Sequence, residues 1–562
     1  MAKLVECVPN FSEGRDKGKL DEIKKAIESV KGVKLLDIDP GEATNRTVFT
    51  FVGDPESIKE AAFRAIKRAS EIIDMREHKG EHPRLGATDV VPFVPLEGVT
   101  MEDCVQIARE LGERVGKELN IPVYLYEEAA TTPERKSLSY VRKGEYEALP
   151  EKLKELKPDF GPDEYNDKIA KTGATIIGAR EFLIAYNVNL NTKDKKLANE
   201  IALNIRENGR LKRDANGKVV KDSNGKSLRV PGTLKAVRAI GWYIDEYGIA
   251  QISINLLNYK ITPLWKVYEE VRAQAEKLGL LVTGSEVVGL IPKEAIYEAG
   301  KYYLKKQGKT TGVPEKEIID IAIKSLGLNS VAPFKADEKI IEYIIAKDSS
   351  ESLLTNLTVK DFVDEVSIDS PAPGGGSVSA IAGALSSALS SMVASLSYNK
   401  KGYEDYRNEF ISLGEKAQSV KDEFIKLIDE DTNAFNKFMA ARKLPKKTEE
   451  EKAARAKALE EAAKYAAEIP LNILKTSVIA LQLAERVSEI GNKNSISDAG
   501  VAGWLGRAAA EGAFLNVKIN LPSINDGEFK KNLISEASKY LEDARKINQR
   551  ISINVLKALE EE

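Results

Sequence analysis

The stretch RTVFTFVGDPESIKEAAFRAIKRASEII, residues 46–73, joins two different periods end to end. Its first part, RTVFTFVG (46–53), is β-branched and aromatic and reads as a strand. From Pro55 onward charged residues alternate with an apolar stripe, the pattern of an amphipathic helix. Working outward, VKLLDID (33–39) and IPVYLYEE (121–128) read as further strands, and MEDCVQIARELGERVGKEL (101–119) as a further helix. Strands alternating with helices make residues 1 to about 180 an α/β unit.

A second α/β unit follows to about residue 345, with strands in REFLIAYNVNL, YGIAQISINLLNY and LLVTGSEVVGLI and a helix in LWKVYEEVRAQAEKLG. Inside it, RLKRDANGKVVKDSNGKSLRV (210–230) carries two Asn-Gly turn signals and is expected to be an exposed hairpin without a chemical role. AKDSSESL (346–353) is a polar connector, and everything after it is helical in period. The expected organisation is therefore 1–177 and 178–345 as α/β units, 346–353 as linker, and 354–562 as an all-helical domain.

The chain has 562 residues, too many for one hydrophobic core. With 42% hydrophobic and 30% charged residues it has an ordinary globular composition. A net charge of -3 argues against a nucleic-acid partner, which needs a basic field. Cys7 and Cys104 have no framework spacing, and the start MAKLVECVPNFSEG is no secretory leader, so a cytoplasmic location is expected. Val378–Tyr398 is uncharged and long enough to cross a bilayer, but it is rich in Ser and Ala, so a buried bundle helix is expected and no membrane span.

Both histidines of the chain lie in HKGEHPRLGATDV, residues 78–90. The i, i+4 spacing suggests a helical zinc site, yet Gly80 and Pro83 oppose a helix and no third histidine exists. No metal is expected. A turn presenting an imidazole for proton transfer is the other functional reading, with Glu81, Arg84 and Asp89 able to orient the ring or hold an anion.

LVECVPNFSEG (4–14), TNRTVFTFVG (44–53), IDMREHKGEHPRLGATDVVPF (73–93), PVYLYEEAA (122–130) and GEYEALPEKL (144–153) resemble glutamate formimidoyltransferase. GAREFLIAYNVNL (178–190), AIGWYIDE (239–246) and GSEVVGLIP (284–292) continue the resemblance. It implies that His82 is the catalytic acid/base and that folate contacts lie in the loop after DFGP. That loop comprises Gly161, Pro162, Asp163, Glu164, Tyr165, Asn166, Asp167, Lys168, Ile169, Ala170, Lys171, Thr172 and Gly173. Arg46 and Arg84 are candidates to hold substrate carboxylates; a structural ion pair is the other reading of each.

In the helical half, SPAPGGGSVSAIAGAL (370–385) lacks the lysine of a phosphate loop. Gly374, Gly375 and Gly376 permit close backbone approach, and Ser377 is a candidate helix cap beside a ligand-receiving helix start. In FIKLIDEDTNAF (424–435) Asp431 shares the stripe of Phe424, Leu427, Ile428 and Phe435 and so points inward, which marks it over Asp429. SPAPGGGSV, LIDEDTNAF, KLPKKTEEE (443–451) and NSISDAGVA (494–502) resemble formimidoyltetrahydrofolate cyclodeaminase, which implies that Asp431 is its catalytic aspartate.

Together the segments resemble the bifunctional formimidoyltransferase-cyclodeaminase family over nearly the whole chain. The resemblance implies two α/β subdomains of split βαβ, ferredoxin-like type followed by an all-α domain, in a homo-oligomer. It implies N-formimidoyl-L-glutamate and tetrahydrofolate, in polyglutamate form, as substrates, with 5,10-methenyltetrahydrofolate and ammonia as products, in histidine degradation. Two alternatives stand beside it. One is a formyl-donor transferase fused to a methenyltetrahydrofolate cyclohydrolase-like domain; the other is a transferase carrying a non-catalytic helical assembly module.

Overall fold

The computed structural model describes residues 3–560 except 43, 81–82 and 350–352. In chain order the first elements are β1 (Leu4–Cys7), β2 (Asn10–Phe11), α1 (Lys17–Glu28), β3 (Val33–Gly41), β4 (Arg46–Gly53), α2 (Pro55–Ile72) and β5 (Thr88–Glu97). They are followed by α3 (Met101–Arg114), β6 (Val123–Glu127), α4 (Leu138–Val141), α5 (Leu149–Glu155), α6 (Asp167–Thr172) and β7 (Thr175–Ala179). β3, β4, β1 and β5 lie side by side and antiparallel, with β2 continuing the line of β1; β7 and β6 extend the sheet in parallel. The strand order of the β-α-β-β-α-β run is that of a split βαβ fold.

α2 begins where Asp54 accepts from the Glu56 and Ser57 N–H groups, with Pro55 preset for the first turn. It buries Ile58, Ala61, Ala62, Ala65, Ile66 and Ala69 against Phe49, Phe51 and Phe93 of the sheet. The opposite face is covered by α4, α5 and α6 through Val141, Leu149, Leu153 and Ile169.

The second α/β set comprises β8 (Ile184–Leu190), α7 (Lys195–Ile205), β9 (Arg210–Leu211), β10 (Arg229–Val230), β11 (Val237–Ile244), β12 (Ile249–Leu256), α8 (Leu264–Lys277) and β13 (Val282–Val288). Its four-stranded antiparallel sheet runs β11-β12-β8-β13, the same split βαβ order as before. β9 and β10 close the expected hairpin excursion. Within it Asp214 and Asp222 each accept two turn N–H groups, and Gly217 and Gly225 take positive φ.

The remaining elements are α9 (Lys293–Lys306), α10 (Glu315–Leu326), α11 (Ala336–Lys339), α12 (Ile341–Ser349) and α13 (Val359–Ser367). After them come α14 (Gly375–Tyr398), α15 (Arg407–Arg442), α16 (Glu449–Ile490), α17 (Ile496–Asn520) and α18 (Gly527–Glu560). α14 is long and apolar enough to cross a membrane, but it packs among α15, α16 and α17. Its serines tolerate burial because Ser379, Ser387, Ser390 and Ser397 return their hydroxyls to carbonyls four residues back. Gly383 is required there, since a Cβ would lie 2.3 Å from the Phe424 ring.

Two compact units emerge. One holds residues to Ile296 with Leu326–Lys347; the other holds Tyr297–Ser325 with the helices from Asp348 on. Two features differ from the expected linker at 346–353. α12 runs to Ser349, and Tyr297–Ser325 packs with the helical unit instead of with the α/β residues around it in sequence. There the Gly312 carbonyl accepts from Ser391 and Ser395, and Thr311 donates to Glu415. A chain cut between residues 350 and 352 is therefore expected to leave two pieces that co-elute in gel filtration. Elution as two separate species at micromolar concentration would contradict this placement.

Candidate active sites

The first candidate site is built on the turn around the histidines. Asn45 holds it, donating to the Lys79 carbonyl at 3.0 Å and accepting from His78 Nε2 through its own carbonyl at 2.8 Å. Gly80 is needed because a Cβ would stand 2.1 Å from the Thr44 carbonyl oxygen. His78 Nδ1 accepts from Arg84 Nε at 3.2 Å, so both ring nitrogens are engaged. Burial depresses its pKa, the Asn45 bond opposes this, and Arg84 adds to the depression. His78 is thus a neutral, structural member of the turn. His82 and its neighbour Glu81 lie outside the described residues.

Arg84 is buried and committed. It makes a bidentate pair with Glu147 at 2.8 and 2.6 Å and reaches Glu145 at 3.3 Å. Its structural reading is the one the geometry favours. Arg46 is different. Its Nη2 donates to Asn10, while Nε is buried without a hydrogen-bond partner among the described residues. Desolvation lowers its pKa, and Asp89 opposes the shift. An arginine with spare N–H capacity can take an anion. Asp89 is buried and accepts from the Leu85 N–H and from Arg142 at 2.6 Å.

The turn and the 161–173 stretch, about ninety residues apart in sequence, come together. Met75 N donates to Lys171 O, Ala87 N to Thr172 O and Ala174 N to Leu85 O. At their meeting point Gly173 (φ +66°) would place a Cβ 2.3 Å from the Gly86 Cα. The stretch expected as a loop is only partly one, because Asn166 caps the short helix α6. Ile169 and Thr172 have buried side chains. Gly173 is likewise enclosed. The exposed side chains of this stretch are Asp163, Glu164, Tyr165, Asn166, Asp167 and Lys168, and Ala170 and Lys171 are half-buried.

The second candidate site is a cavity of about 290 Å³ in the helical unit. Asp431 of α15 reaches it at the N-terminus of α14, accepting from Ser377 N at 3.0 Å and Ser377 Oγ at 3.3 Å. Ser377 does not cap its own helix as expected; Oγ donates to the Ile428 carbonyl at 2.9 Å, and the carboxylate across the interface takes the helix N–H. Gly376 makes room for it, since a Cβ there would lie 2.1 Å from Asp431 Oδ1. Gly375 faces the amide of Asn516 from α17, and Gly374 also lines the cavity. Ala434, Phe435, Phe438, Ala463 and Ala466 form apolar walls.

Burial raises the Asp431 pKa, and the two Ser377 hydrogen bonds work against that rise. A half-buried carboxylate lining a cavity is suited to exchanging a proton with a bound molecule. Asp429 points elsewhere, accepting from Leu354 N at 2.7 Å and Thr355 Oγ1 at 2.8 Å. Sequence reasoning missed Asn45, Arg142, Glu147 and Asn516, all drawn in by tertiary contacts; the positive φ that Asn tolerates at Asn45 is the one local signal among them.

Compared with known proteins, residues 4–180 match the N-terminal subdomain of the formiminotransferase domain, and residues 185–346 the formiminotransferase domain. Residues 358–539 match the family described as formiminotransferase-cyclodeaminase. The chain is 43% identical to formimidoyltransferase-cyclodeaminase of Mus musculus over 547 residues, 97% of each chain. It is 48% identical to glutamate formimidoyltransferase of Thermoplasma acidophilum over 313 residues, 55% of this chain and 95% of the relative. It is also 39% identical to methenyltetrahydrofolate cyclohydrolase of Methylorubrum extorquens over 196 residues, 35% of this chain and 94% of the relative.

Proposed function

The chain belongs to the formimidoyltransferase-cyclodeaminase family, and from that premise we propose which residues carry each of its two steps. The enzyme transfers the formimidoyl group of N-formimidoyl-L-glutamate to N5 of tetrahydrofolate, then cyclises the product to 5,10-methenyltetrahydrofolate with release of ammonia, in histidine degradation. Folate is a co-substrate.

In the first step N5 attacks the formimino carbon, and an N5–C bond forms. His82 takes the N5 proton and returns it to the glutamate nitrogen as that C–N bond breaks. This role is supported by the Asn45-held turn and its junction with residues 171–174. Arg46, whose Nε has no hydrogen-bond partner among the described residues, is assigned to a substrate carboxylate; Arg84 is assigned to holding the turn. The exposed residues Asp163 to Lys168 remain as folate contacts.

In the second step N10 attacks the formimidoyl carbon, Asp431 removes the N10 proton and gives it to the amine, and ammonia leaves with the C–N electron pair. The observation that carries this step is Asp431 fixed at the glycine-lined end of the cavity. The cyclohydrolase relative favours a second reading of the helical unit, with water in place of the amine. One assay separates them: supply N-formimidoylglutamate and tetrahydrofolate and follow glutamate, ammonia and methenyl product. Glutamate release without ammonia would overturn the two-step reading.

Two expectations follow from the geometry. Gly376→Ala drives a methyl into the Asp431 carboxylate and is expected to cut ammonia release about 10²-fold or more, leaving glutamate release unchanged. Equal rates in the variant would contradict the close approach. The pH dependence follows from burial, which raises the Asp431 pKa, so the protonated, inactive form persists above the ordinary aspartate range. Ammonia release is expected to fall on acidification with its limb displaced upward. Ser377 stabilises the ionised form, so Ser377→Ala moves the limb to still higher pH. A pH–rate profile with an unmoved limb would contradict this.

The polyglutamate form of the folate and a homo-oligomeric state belong to the same proposal. The oligomer is supported by an apolar groove in the helical unit in which Val359, Val363 and Leu385 are 85%, 59% and 51% exposed. Sedimentation of the purified chain tests it, a monomer being the contrary result. A cytoplasmic location is supported by two buried, unpaired cysteines.

A further inference from the structure

Asn516 has no part in the steps above, yet it stands at the same end of the cavity as Asp431. The two side chains flank consecutive residues of one backbone. A Cβ on Gly376 would meet Asp431, and a Cβ on Gly375 would lie 3.1 Å from Asn516 Nδ2. α17 comes this close to α14 because both present small residues; a Cβ on Gly512 would lie 2.3 Å from Ser379 Oγ.

The orientation of the Asn516 amide follows from its hydrogen bond. Nδ2 donates to the Gly512 carbonyl at 2.8 Å, an acceptor that only the nitrogen end can satisfy. Asn520, one turn on, donates to the Asn516 and Ala466 carbonyls and ties this part of α17 to α16. Asn516 Oδ1 is left without a donor among the described residues, on a side chain that lines the cavity. The cavity therefore offers a fixed acceptor beside its carboxylate, with Ala434, Phe435 and Phe438 as apolar walls.

We propose that Asn516 is the specificity residue of the cyclodeaminase step, its amide oxygen accepting an N–H from the formimidoyl nitrogen. This rests on the cavity being the cyclodeaminase site. The formimidoyl amidinium carries N–H donors on the nitrogen that will leave. A formyl group at the same place carries only an oxygen acceptor, which Oδ1 would repel. A buried polar group built for one partner discriminates strongly against an analogue that cannot pair with it. During reaction the nitrogen stays held by its N–H while its lone pair receives the proton from Asp431 and the C–N bond breaks. No atom is exchanged with Asn516.

The test uses the full chain with supplied 5-formimidoyltetrahydrofolate, reading ammonia release and its inhibition by 5-formyltetrahydrofolate. Asn516→Leu is expected to lower kcat/KM about 10- to 100-fold, the loss of a hydrogen bond to a charged group. Inhibition by the formyl compound should be unchanged or tighter, because the repelling oxygen is gone. If kcat/KM stays within about threefold of the unmodified chain, or if substrate and formyl compound weaken together, the inference is overturned. Should Asn516→Leu fail to fold, Asn516→Ser decides. A serine hydroxyl can repeat the bond that Ser379 makes to Gly375 O at 2.6 Å and still present an acceptor oxygen. That variant is expected to keep the preference for formimidoyl over formyl, and its loss overturns the proposal. Absence of ammonia from the unmodified chain would instead overturn the cyclodeaminase reading, and the inference with it.

Discussion

Asp431→Asn is expected to abolish ammonia release, by about 10²- to 10⁴-fold, while glutamate release continues at its normal rate. The substitution keeps the volume of the side chain and its place against Ser377, so the cavity walls are retained. What is lost is the capacity to take the N10 proton and return it to the departing amine. 5-Formimidoyltetrahydrofolate should accumulate to the amount of glutamate released. Asp429→Asn supplies the contrast. Asp429 anchors Leu354 and Thr355, so its loss should lower thermal stability and leave ammonia release near normal. If Asp429→Asn stops ammonia release and Asp431→Asn does not, the wrong carboxylate has been assigned.

His82→Ala is expected to have the mirror effect. Formimidoyl transfer should fall about 10²-fold or more, while supplied 5-formimidoyltetrahydrofolate is still cyclised. The two effects separate because the turn residues Met75 to Gly80 belong to the first unit and Asp431 to the second. His78→Ala should behave differently. His78 is held between Asn45 and Arg84, and its removal should loosen the turn with a smaller loss of transfer and a lower melting temperature. Near-normal glutamate release by His82→Ala, or a larger loss in His78→Ala, would reverse the assignment.

Local chemistry made much of this protein legible without a structure. The residues of β4 and α2 carry their periods within eight and eighteen residues, and an Asp-Pro boundary separates them. Such signals need no distant partner, because a strand or helix face is defined by its own spacing. The inward direction of Asp431 was legible for the same reason. It shares a helical stripe with Phe424, Leu427 and Ile428, all buried.

What sequence spacing left open depended on contacts between distant segments. The position of Tyr297–Ser325 with the helical unit is set by Gly312 meeting Gly414, Ser391 and Ser395. The 161–173 stretch reads as an open loop until Asn166 caps α6 and Ile169 enters the core. Ser377 has the composition of a helix cap, yet the Asp431 carboxylate from another helix takes that place. Asn516 has no local mark at all, and only the approach of α17 to the glycines of α14 brings its amide to the cavity. By itself the sequence determined the element types, two α/β units followed by helices, and the inward carboxylate, since these follow from periods of two and 3.6 residues; the split βαβ strand order came from the strand pairing. Which polar atoms meet across helices, and which remain unpaired facing a cavity, was decided by tertiary packing, because hydrogen-bond satisfaction is settled only when the whole surroundings of each group are in place.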